Sequence, residues 1–443
     1  MSDSDQKKQR ISTLLHKKEI LLDALKNKVD HWQNNRIKMH VKSLSPACRS
    51  CYRGSSIDIN INHICSRKCF YCPVPVLHNW KPYVALEGVK VDKIENLIDL
   101  LRKFNIKVVS FSGGDPLLTF DLLEKYIRAI RQEFRSSIYT MVYTNADLLT
   151  EKRAQFFGEI GLDEIRINIS GRNFDMTPLK LAKKYIKRVT ISSPVVPEEK
   201  GKMIDAFKVF DELGIDHINL IELMAAEYNL KNLKERKYIM KNNTAILDSE
   251  VTFYEILHHA LKKKTKTPIH FCTADYKAKS SRQTRNLRYS PYAKGLNETI
   301  TPIGKIRQIF RRNKIGRKVV IPAKKFSINT NEPIYVQYYN TYVKEVPKST
   351  KGKKIEINKD FYLATKKKPS KKMVLQGTLM LLLFQWLFIE NKPVGEIVSH
   401  ILTKYRHLVH DEKDLFEHLI TFYNQFDDEE YFGEPQLFSK QIE

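Results

Sequence analysis

Cysteine is scarce in this sequence, and the few cysteines are unevenly placed. The 443 residues contain six, at positions 48, 51, 65, 69, 72 and 272. A disulfide-stapled secreted domain places many more cysteines in a much shorter chain. The scarcity therefore argues against a disulfide framework and predicts reduced thiols in a cytoplasmic protein.

Long apolar runs are also missing. The N-terminal stretch 1–8 is polar and lacks the apolar core of a signal peptide. The most apolar run, Met373–Ile389, is interrupted by Gln376 and Gln385, and it is shorter than the ~20 residues that span a bilayer. We expect a buried helix there, no membrane partner and a cytoplasmic location.

Acidic residues are outnumbered, since 76 Lys and Arg face 50 Asp and Glu, a net charge of +26. Residues 262–318 carry 17 Lys and Arg against only Asp275 and Glu298. The stretch 277–288 places its basic residues at helical spacing. Such an excess favours a polyanion such as RNA, and a solvated lysine-rich surface is the alternative reading.

Three of the cysteines share one short stretch, Cys65-Ser-Arg-Lys-Cys69-Phe-Tyr-Cys72, which follows an alternating strand pattern over 57–61. Three thiolates on one tight loop can hold three corners of a 4Fe–4S cluster and leave the fourth iron open. A closed zinc site needs a fourth ligand, which is not nearby in the sequence. The spacing therefore favours a cluster with an open iron over zinc or structural thiols.

This motif resembles that of the radical S-adenosylmethionine (radical SAM) superfamily, including the aromatic Tyr71 before the last cysteine. A second motif, Phe111-Ser-Gly-Gly-Asp-Pro116, follows the next apolar strand. In the family, a Gly-Gly-Glu motif here holds the methionine end of SAM through backbone groups, and this chain has Asp instead of Glu. The resemblance implies that Tyr71 borders the adenine. It also implies a methionine cradle formed by Gly113, Gly114, Asp115 and Pro116.

The resemblance implies a reaction as well. In the family, the reduced cluster donates one electron to the sulfonium of SAM, which gives methionine and a 5′-deoxyadenosyl radical that abstracts hydrogen from the substrate. A reducing partner such as flavodoxin or ferredoxin would supply that electron. The cofactor carries this chemistry, and the protein positions it and excludes water.

From 57 to about 275, strand and helix patterns alternate, which predicts parallel βαβ units. The predicted strands are Ile57–Ile61, Lys107–Phe111, Ile138–Tyr143, Glu164–Ile169, Arg188–Ser192 and His217–Ile221, with a further short one at Pro268–Cys272. The predicted helices cover 92–104, 120–134, 150–160, 178–187, 199–213 and 245–262. The alternation fits the partial (β/α)6 barrel typical of the radical SAM family. In such barrels ligands collect at the carboxyl ends of the strands, where this chain has Thr144, Asn145, Asn168 and Ser170.

Four regions are predicted along the chain. Residues 1–45 form an N-terminal helical extension, with one or two amphipathic helices over 5–40, and 46–290 form the barrel. Residues 291–372 form a basic, β-containing region with β-type stretches at Tyr335–Val346 and Lys354–Leu363. Residues 373–443 form a helical region, so that the C-terminal part is α+β. Residues 373–435 resemble the helical half of the peptide-recognition domains fused to peptide-modifying radical SAM enzymes.

Cys48, Cys51 and Cys272 lie outside the three-cysteine motif, just before the first strand and near the end of the barrel. Since the first and last elements of a barrel are neighbours, these three are predicted to meet and to bind a second iron–sulfur cluster or, with His270, a zinc ion. The alternative is that they are ordinary core residues.

The motifs together resemble an archaeal-type radical SAM group related to pyruvate formate-lyase activating enzyme, over about 46–290. With the added C-terminal region, this favours a peptide or protein substrate. RNA, bound through 262–318, is the alternative. A third reading is a non-catalytic nucleic-acid-binding iron–sulfur protein, which would leave Gly113–Asp115 without a role.

Overall fold

The computed structural model describes most of the first 277 residues and parts of the rest. The described residues are 3–32, 38–74, 84–86, 89–91, 93–242, 244–277, 284, 287–288, 290–291, 298–300, 306–310, 319–321, 326–328, 334–347 and 353–365.

The elements alternate between strand and helix for most of the first 272 residues. In chain order they are α1 (Asp3–Leu25), β1 (Asp30–His31), β2 (Met39–Val41), α2 (Pro46–Tyr52), β3 (Ser56–Asn62), β4 (Val84–Leu86), β5 (Val89–Val91), α3 (Ile94–Lys103), β6 (Val108–Gly113), α4 (Phe120–Phe134), β7 (Tyr139–Thr144), α5 (Glu151–Glu159), β8 (Glu164–Ile167), α6 (Thr177–Tyr185), β9 (Val189–Pro194), α7 (Lys200–Glu212), β10 (His217–Ile221), α8 (Leu230–Glu235), α9 (Leu247–Lys262) and β11 (Ile269–Cys272). Six more strands follow: β12 (Glu298–Ile300), β13 (Ile306–Phe310), β14 (Val319–Ile321), β15 (Phe326–Ile328), β16 (Ile334–Pro347) and β17 (Lys353–Thr365).

The chain divides into two compact units, of which the first comprises Met1–Tyr52, Ser56–Gly88 and Ile106–Lys279. Its sheet has the strand order β1-β2-β11-β10-β9-β8-β7-β6-β3-β4. The pairs from β3 through β6, β7, β8, β9 and β10 to β11 are all parallel. This mostly parallel α/β unit confirms the predicted fold class, with β11 as a seventh parallel strand.

Burial explains why the strand pattern was readable in the sequence. Ile57, Ile59 and Ile61 on β3 are at most 2% exposed, so alternate residues of the strand enter the core. All four residues of β8 are buried, and the helices between the strands cover the sheet with their apolar faces. The carboxyl ends of the parallel strands consequently lie together at one edge, where the functional site is built.

The prediction of one or two helices over residues 5–40 is met by one helix in the described residues. This is α1, whose Ile11, Leu14 and Leu21 pack against residues at and before the start of α9. The end of the range contains β1 and β2, which form an antiparallel pair. β2 also pairs with β11, Val41 opposite Ile269, so a tertiary strand partner overrides the local helical periodicity.

The second unit comprises Arg53–Ser55, Val89–Asn105 and Ser280–Glu443. In it, β12, β13, β16 and β17 form one antiparallel sheet, and β14 pairs with β15. Strands β16 and β17 confirm the two β-type stretches predicted at 335–346 and 354–363. The predicted helical region 373–443, including the apolar run 373–389, lies outside the described residues. Within the described part of the chain, none of the helices combines the length and the apolar character that a bilayer crossing needs.

Candidate functional site

A cavity of about 640 Å³ opens at the carboxyl ends of the parallel strands in the first unit. Such a volume is typical of sites that bind small molecules and cofactors. Cys65, Cys69 and Cys72 line it on one side, and Gly113 and Gly114 line it on another. The structure therefore brings the two predicted motifs to one cavity.

The three thiols belong to the segment Cys65–Cys72, here called the cluster loop, which follows β3. It is a tight loop, because the Cys72 amide donates to the Cys69 carbonyl at 3.1 Å. The Arg67 amide lies 3.4 Å from Cys65 Sγ. Burial raises the pKa of all three thiols, so a metal that binds to the loop would have to displace their protons.

Asp147, in the loop after β7, holds the cluster loop from outside the cavity. Its carboxylate accepts from Arg67 Nε and Nη2, both at 2.6 Å, and from Ser66 Oγ at 2.7 Å. It also accepts from Arg172 Nη1 at 2.6 Å, and the Arg67 guanidinium is the main cause of its lowered pKa. One carboxylate thus joins the cluster loop to the turns that follow two neighbouring strands. No sequence motif pointed to it, because its partners are distant in the chain.

The two glycines at the end of β6 lie against the strand that leads into the cluster loop. The Gly114 amide donates to the Asn62 carbonyl at 3.0 Å, and the Asp115 amide donates to the Ile64 carbonyl at 2.7 Å. A Cβ on Gly113 would stand 2.1 Å from the Asn62 oxygen, and one on Gly114 would stand 1.9 Å from the Ile64 oxygen. Only glycine permits this approach, which fixes the backbone of one motif against the other.

Asp115 lies in a turn rather than in the cavity. It is 2% exposed and accepts from the Thr144 hydroxyl and the amides of Asn145 and Leu117, each at 2.9 Å. Burial raises its pKa, and these bonds oppose the rise. Pro116 follows in a short 3-10 turn and is buried. Among the described residues these two do not line the cavity, so their side chains shape the loop that Gly113 and Gly114 present.

The polar residues at the other strand ends are divided between the cavity and its surroundings. Thr144, Asn145 and Asn168 line the cavity, as does Tyr71. Asn168 Nδ2 lies 3.4 Å from Tyr71 Oη, and burial, reinforced by Cys69, raises the pKa of Tyr71. Ser170 is buried and donates to Glu199 at 2.5 Å, behind the cavity wall.

Several lining residues were not anticipated from the sequence. Tyr143 and Arg166 point inward from β7 and β8 and are joined by a hydrogen bond of 3.0 Å. Tyr228, just before α8, and Asn232, in α8, lie at the mouth of the cavity, where Tyr228 is 60% exposed. The alternation of a core strand could have shown Tyr143 and Arg166, because each is a polar residue at an inward-facing position. Tyr228 and Asn232 could not be found in this way, because their segment contains no motif.

Cys48, Cys51 and Cys272 lie apart from the cluster loop, in one packed group with Leu44, Tyr52 and Tyr276. In the part of the chain that the structure describes, no three His, Cys, Asp or Glu side chains are already arranged around a single metal ion. Cluster cysteines meet four irons rather than one, so they stand farther apart than the ligands of a single ion.

The residues around the cavity fit a 4Fe–4S cluster with SAM. The donor set is three cysteines on one loop, with Gly171 beside Cys69 so that a Cβ there would lie 3.4 Å from the sulfur. Asn145 Nδ2 lies 3.6 Å from Cys65 Sγ. Glycines and amide side chains near sulfur leave room for a cluster and supply the hydrogen bonds that tune it.

Comparison with known proteins points to the same superfamily. Residues 59–221 match the model of the Radical SAM superfamily, which confirms the resemblance drawn from the motifs. The matched range includes the cluster loop and both glycines.

Two curated relatives indicate the range of reactions among similar proteins. A protein of Methanocaldococcus jannaschii, provisionally named a glycyl-radical enzyme activating enzyme, is 26% identical over 226 residues, 48% of this chain and 60% of the relative. A protein of Thermoplasma volcanium, provisionally named a GTP 3′,8-cyclase, is 27% identical over 184 residues, 41% of this chain and 53% of the relative. The chain thus spans between about half and three fifths of the length of these relatives.

Among solved structures, Streptococcus suis SuiB bound to its precursor peptide SuiA is 16% identical. The likeness covers 62% of this chain and 64% of that chain, with a TM-score of 0.35.

Proposed function

The chain contains a radical SAM domain, and we propose that it is an enzyme that cleaves SAM reductively to modify a peptide or protein. Cys65, Cys69 and Cys72 would hold the 4Fe–4S cluster. When bound, the cluster supplies one electron to SAM, which generates the 5′-deoxyadenosyl radical for hydrogen abstraction. The observation that carries the proposal is the single cavity shared by the cluster loop and the glycine pair.

The chain's own residues would bind and orient SAM. The backbone at Gly113 and Gly114 faces the cavity without side chains, so its polar groups are accessible to the methionine end. Asp115 would act indirectly, since its carboxylate fixes Thr144 and Asn145 at the neighbouring strand end. Asn168 and Tyr71, which also line the cavity and lie 3.4 Å apart, would contact the ribose and adenine.

The remaining wall is polar and set deeper in the barrel. Arg166 there is 3% exposed and pairs with Glu164 at 2.7 Å. Removing either partner would leave an uncompensated buried charge, which is costly. The pair would keep Arg166 in place in this part of the wall.

A protein substrate is favoured by two observations. The relative from M. jannaschii is named for activating another enzyme, which is an action on a protein. The mouth of the cavity carries the exposed Tyr228 beside Phe70 and Asn232, and tyrosine is enriched where proteins meet. A flavodoxin or ferredoxin of the cytoplasm would supply the electron.

RNA or a nucleotide is the second candidate, favoured by the basic stretch 262–318 and by the relative named for a reaction on GTP. Lys262, Lys263 and Lys264 are exposed at the end of α9. By contrast Arg288, the last residue of the basic stretch 277–288, is 2% exposed and therefore poorly placed to bind a nucleic-acid backbone.

SAM cleavage tests the enzyme assignment. Anaerobically reconstituted protein with dithionite should convert SAM to 5′-deoxyadenosine, and the Cys65→Ala, Cys69→Ala, Cys72→Ala variant should not. Lys208→Ala, which changes an exposed ion pair on α7, is the control preparation and should match the wild type. Wild-type yields from the triple variant would refute the assignment.

Salt dependence separates the two substrate classes. If a tRNA probe is gripped through phosphates, log K falls with log salt by ~0.7–0.9 per phosphate neutralised. Replacing Lys262, Lys263 and Lys264 with Gln would then flatten the slope. We expect weak tRNA binding that this variant leaves unchanged; a steep slope that the variant flattens would put RNA first.

A further inference from the structure

The second cysteine group, Cys48, Cys51 and Cys272, is assembled from opposite ends of the first unit. Cys48 and Cys51 are three residues apart on α2, and Cys272 ends β11. Tyr276 joins the two elements, because its hydroxyl lies 3.1 Å from Cys51 Sγ and donates to the Cys51 carbonyl at 3.0 Å. The three thiols pack in one group, in which Cys48 is buried and Cys51 and Cys272 are half-buried.

Cations lie beside this group and its aromatic neighbours. Arg166 Nη2 lies 3.4 Å from Cys48 Sγ, and Lys277 acts electrostatically on Cys272. The Lys38 ammonium, itself 1% exposed, lies 5.2 Å from the ring centre of Tyr52 and 5.7 Å from that of Tyr276. Nearby cations offset part of the negative charge that thiolate ligands bring to a metal centre. A site with three thiolates and one divalent ion carries net negative charge, which this surrounding charge stabilises.

A nitrogen donor lies beside the thiols. His270 stands two residues before Cys272 on β11, so both side chains leave the same face of the strand. It is 5% exposed, its Nε2 lies 2.6 Å from Tyr52 Oη, and its Nδ1 has no hydrogen-bond partner among the described residues. Buried polar atoms are nearly always paired, so this imidazole nitrogen is available to a ligand.

We propose that Cys48, Cys51 and Cys272 form a second metal centre, distinct from the cluster loop, with His270 available as a fourth donor. Three cysteines and one histidine form a common structural zinc set, and three cysteines also suffice for an iron–sulfur cluster. Among the described residues no three donors yet surround one point, so the side chains of this group would have to reorient as the metal binds. The centre would tie the first helix of the barrel to its last strand.

Metal content tests the proposal independently of SAM chemistry. The Cys65→Ala, Cys69→Ala, Cys72→Ala variant, purified anaerobically after growth with both metals, should retain close to one zinc ion or one iron–sulfur cluster per chain. Elemental analysis with acid-labile sulfide distinguishes the two. Adding Cys48→Ser and Cys51→Ser should lower the retained metal at least tenfold.

A matched control keeps the sulfur atoms of Cys48, Cys51 and Cys272. Tyr276→Phe removes the hydroxyl beside Cys51 and should leave the metal content of the triple variant unchanged. If the triple variant unfolds cooperatively yet contains under a tenth of an equivalent of any metal, the cysteines are core residues and the proposal is wrong. That result does not depend on whether the serine variants fold.

Discussion

Replacing Gly114 with Ala should uncouple the two motifs of the site. The added methyl group would lie 1.9 Å from the Ile64 carbonyl oxygen and 2.7 Å from the Ile64 nitrogen. Both are backbone atoms directly before Cys65, so relief requires the cluster loop or the end of β6 to shift. No flexible side chain is available to give way.

The expected cost follows from that contact. Forcing one extra methyl group into a packed site costs about 1–3 kcal/mol of unfolding free energy, and a backbone clash belongs at the upper end. Gly201→Ala on α7 is the matched control, because a Cβ there meets no atom within 4 Å. Within a helix that change should stabilise by about 0.5–1 kcal/mol. The two variants should therefore differ in sign.

Urea denaturation followed by circular dichroism measures the free energies, and calorimetry on reconstituted protein measures SAM affinity. Gly114→Ala should lower both stability and SAM affinity, whereas Gly201→Ala should leave affinity unchanged. If Gly114→Ala bound SAM as tightly as the wild type and unfolded within 0.5 kcal/mol of it, the close approach of the motifs would not matter to the site.

Two further predictions concern carboxylates. Asp147→Asn should lower the free energy of unfolding by about 1.5–3 kcal/mol at pH 7. Because the folded pKa of Asp147 is lowered, that stability exists above the unfolded pKa of about 3.9 and is lost as pH falls, so the variant and the wild type should converge in acid denaturation. Asp175→Asn, which keeps the contact between Asp147 and Arg67, should lose less iron on reconstitution than Asp147→Asn. Burial raises the pKa of Glu222 to about 7, so its ionisation should lower the free energy of unfolding by up to about 3 kcal/mol as pH rises from 4.5 to 7. In urea titrations across pH 5–8, Glu222→Gln should abolish this dependence on pH, and Glu227→Gln, a change at an exposed residue, should retain it. The same dependence on pH in Glu222→Gln would contradict the assignment to the buried carboxyl.

The strands were predictable because each needs only its own sequence. The buried isoleucines of β3 alternate regardless of what pairs with the strand. Gly113 and Gly114 indicate a close approach of the backbone because they have no side chains. The motif residues were therefore found, and their common cavity followed from the rule that strand ends share an edge.

Features that depend on distant partners were not predictable. Asp147 is a lone acid in a loop until Arg67 and Arg172 arrive from other strands. One or two helices were predicted over residues 5–40, yet β2 at the end of that range is a strand because β11 offers it backbone partners. The same limit applies to Asp115, whose motif position suggested a ligand contact but whose carboxylate is used by the neighbouring strand end.

The pairing of β2 and α2 with β11 has a consequence for how the chain folds. Tyr52 and His270 are separated by 218 positions, and Cys51 and Tyr276 by 225. Contacts of such sequence separation form late, because a long loop must close before they contribute. During synthesis, Cys51 and the preceding strands β1 and β2 lack their final neighbours until residue 276 has left the ribosome. Chaperones or early iron–sulfur delivery would therefore meet a nascent chain whose first cysteines are still exposed.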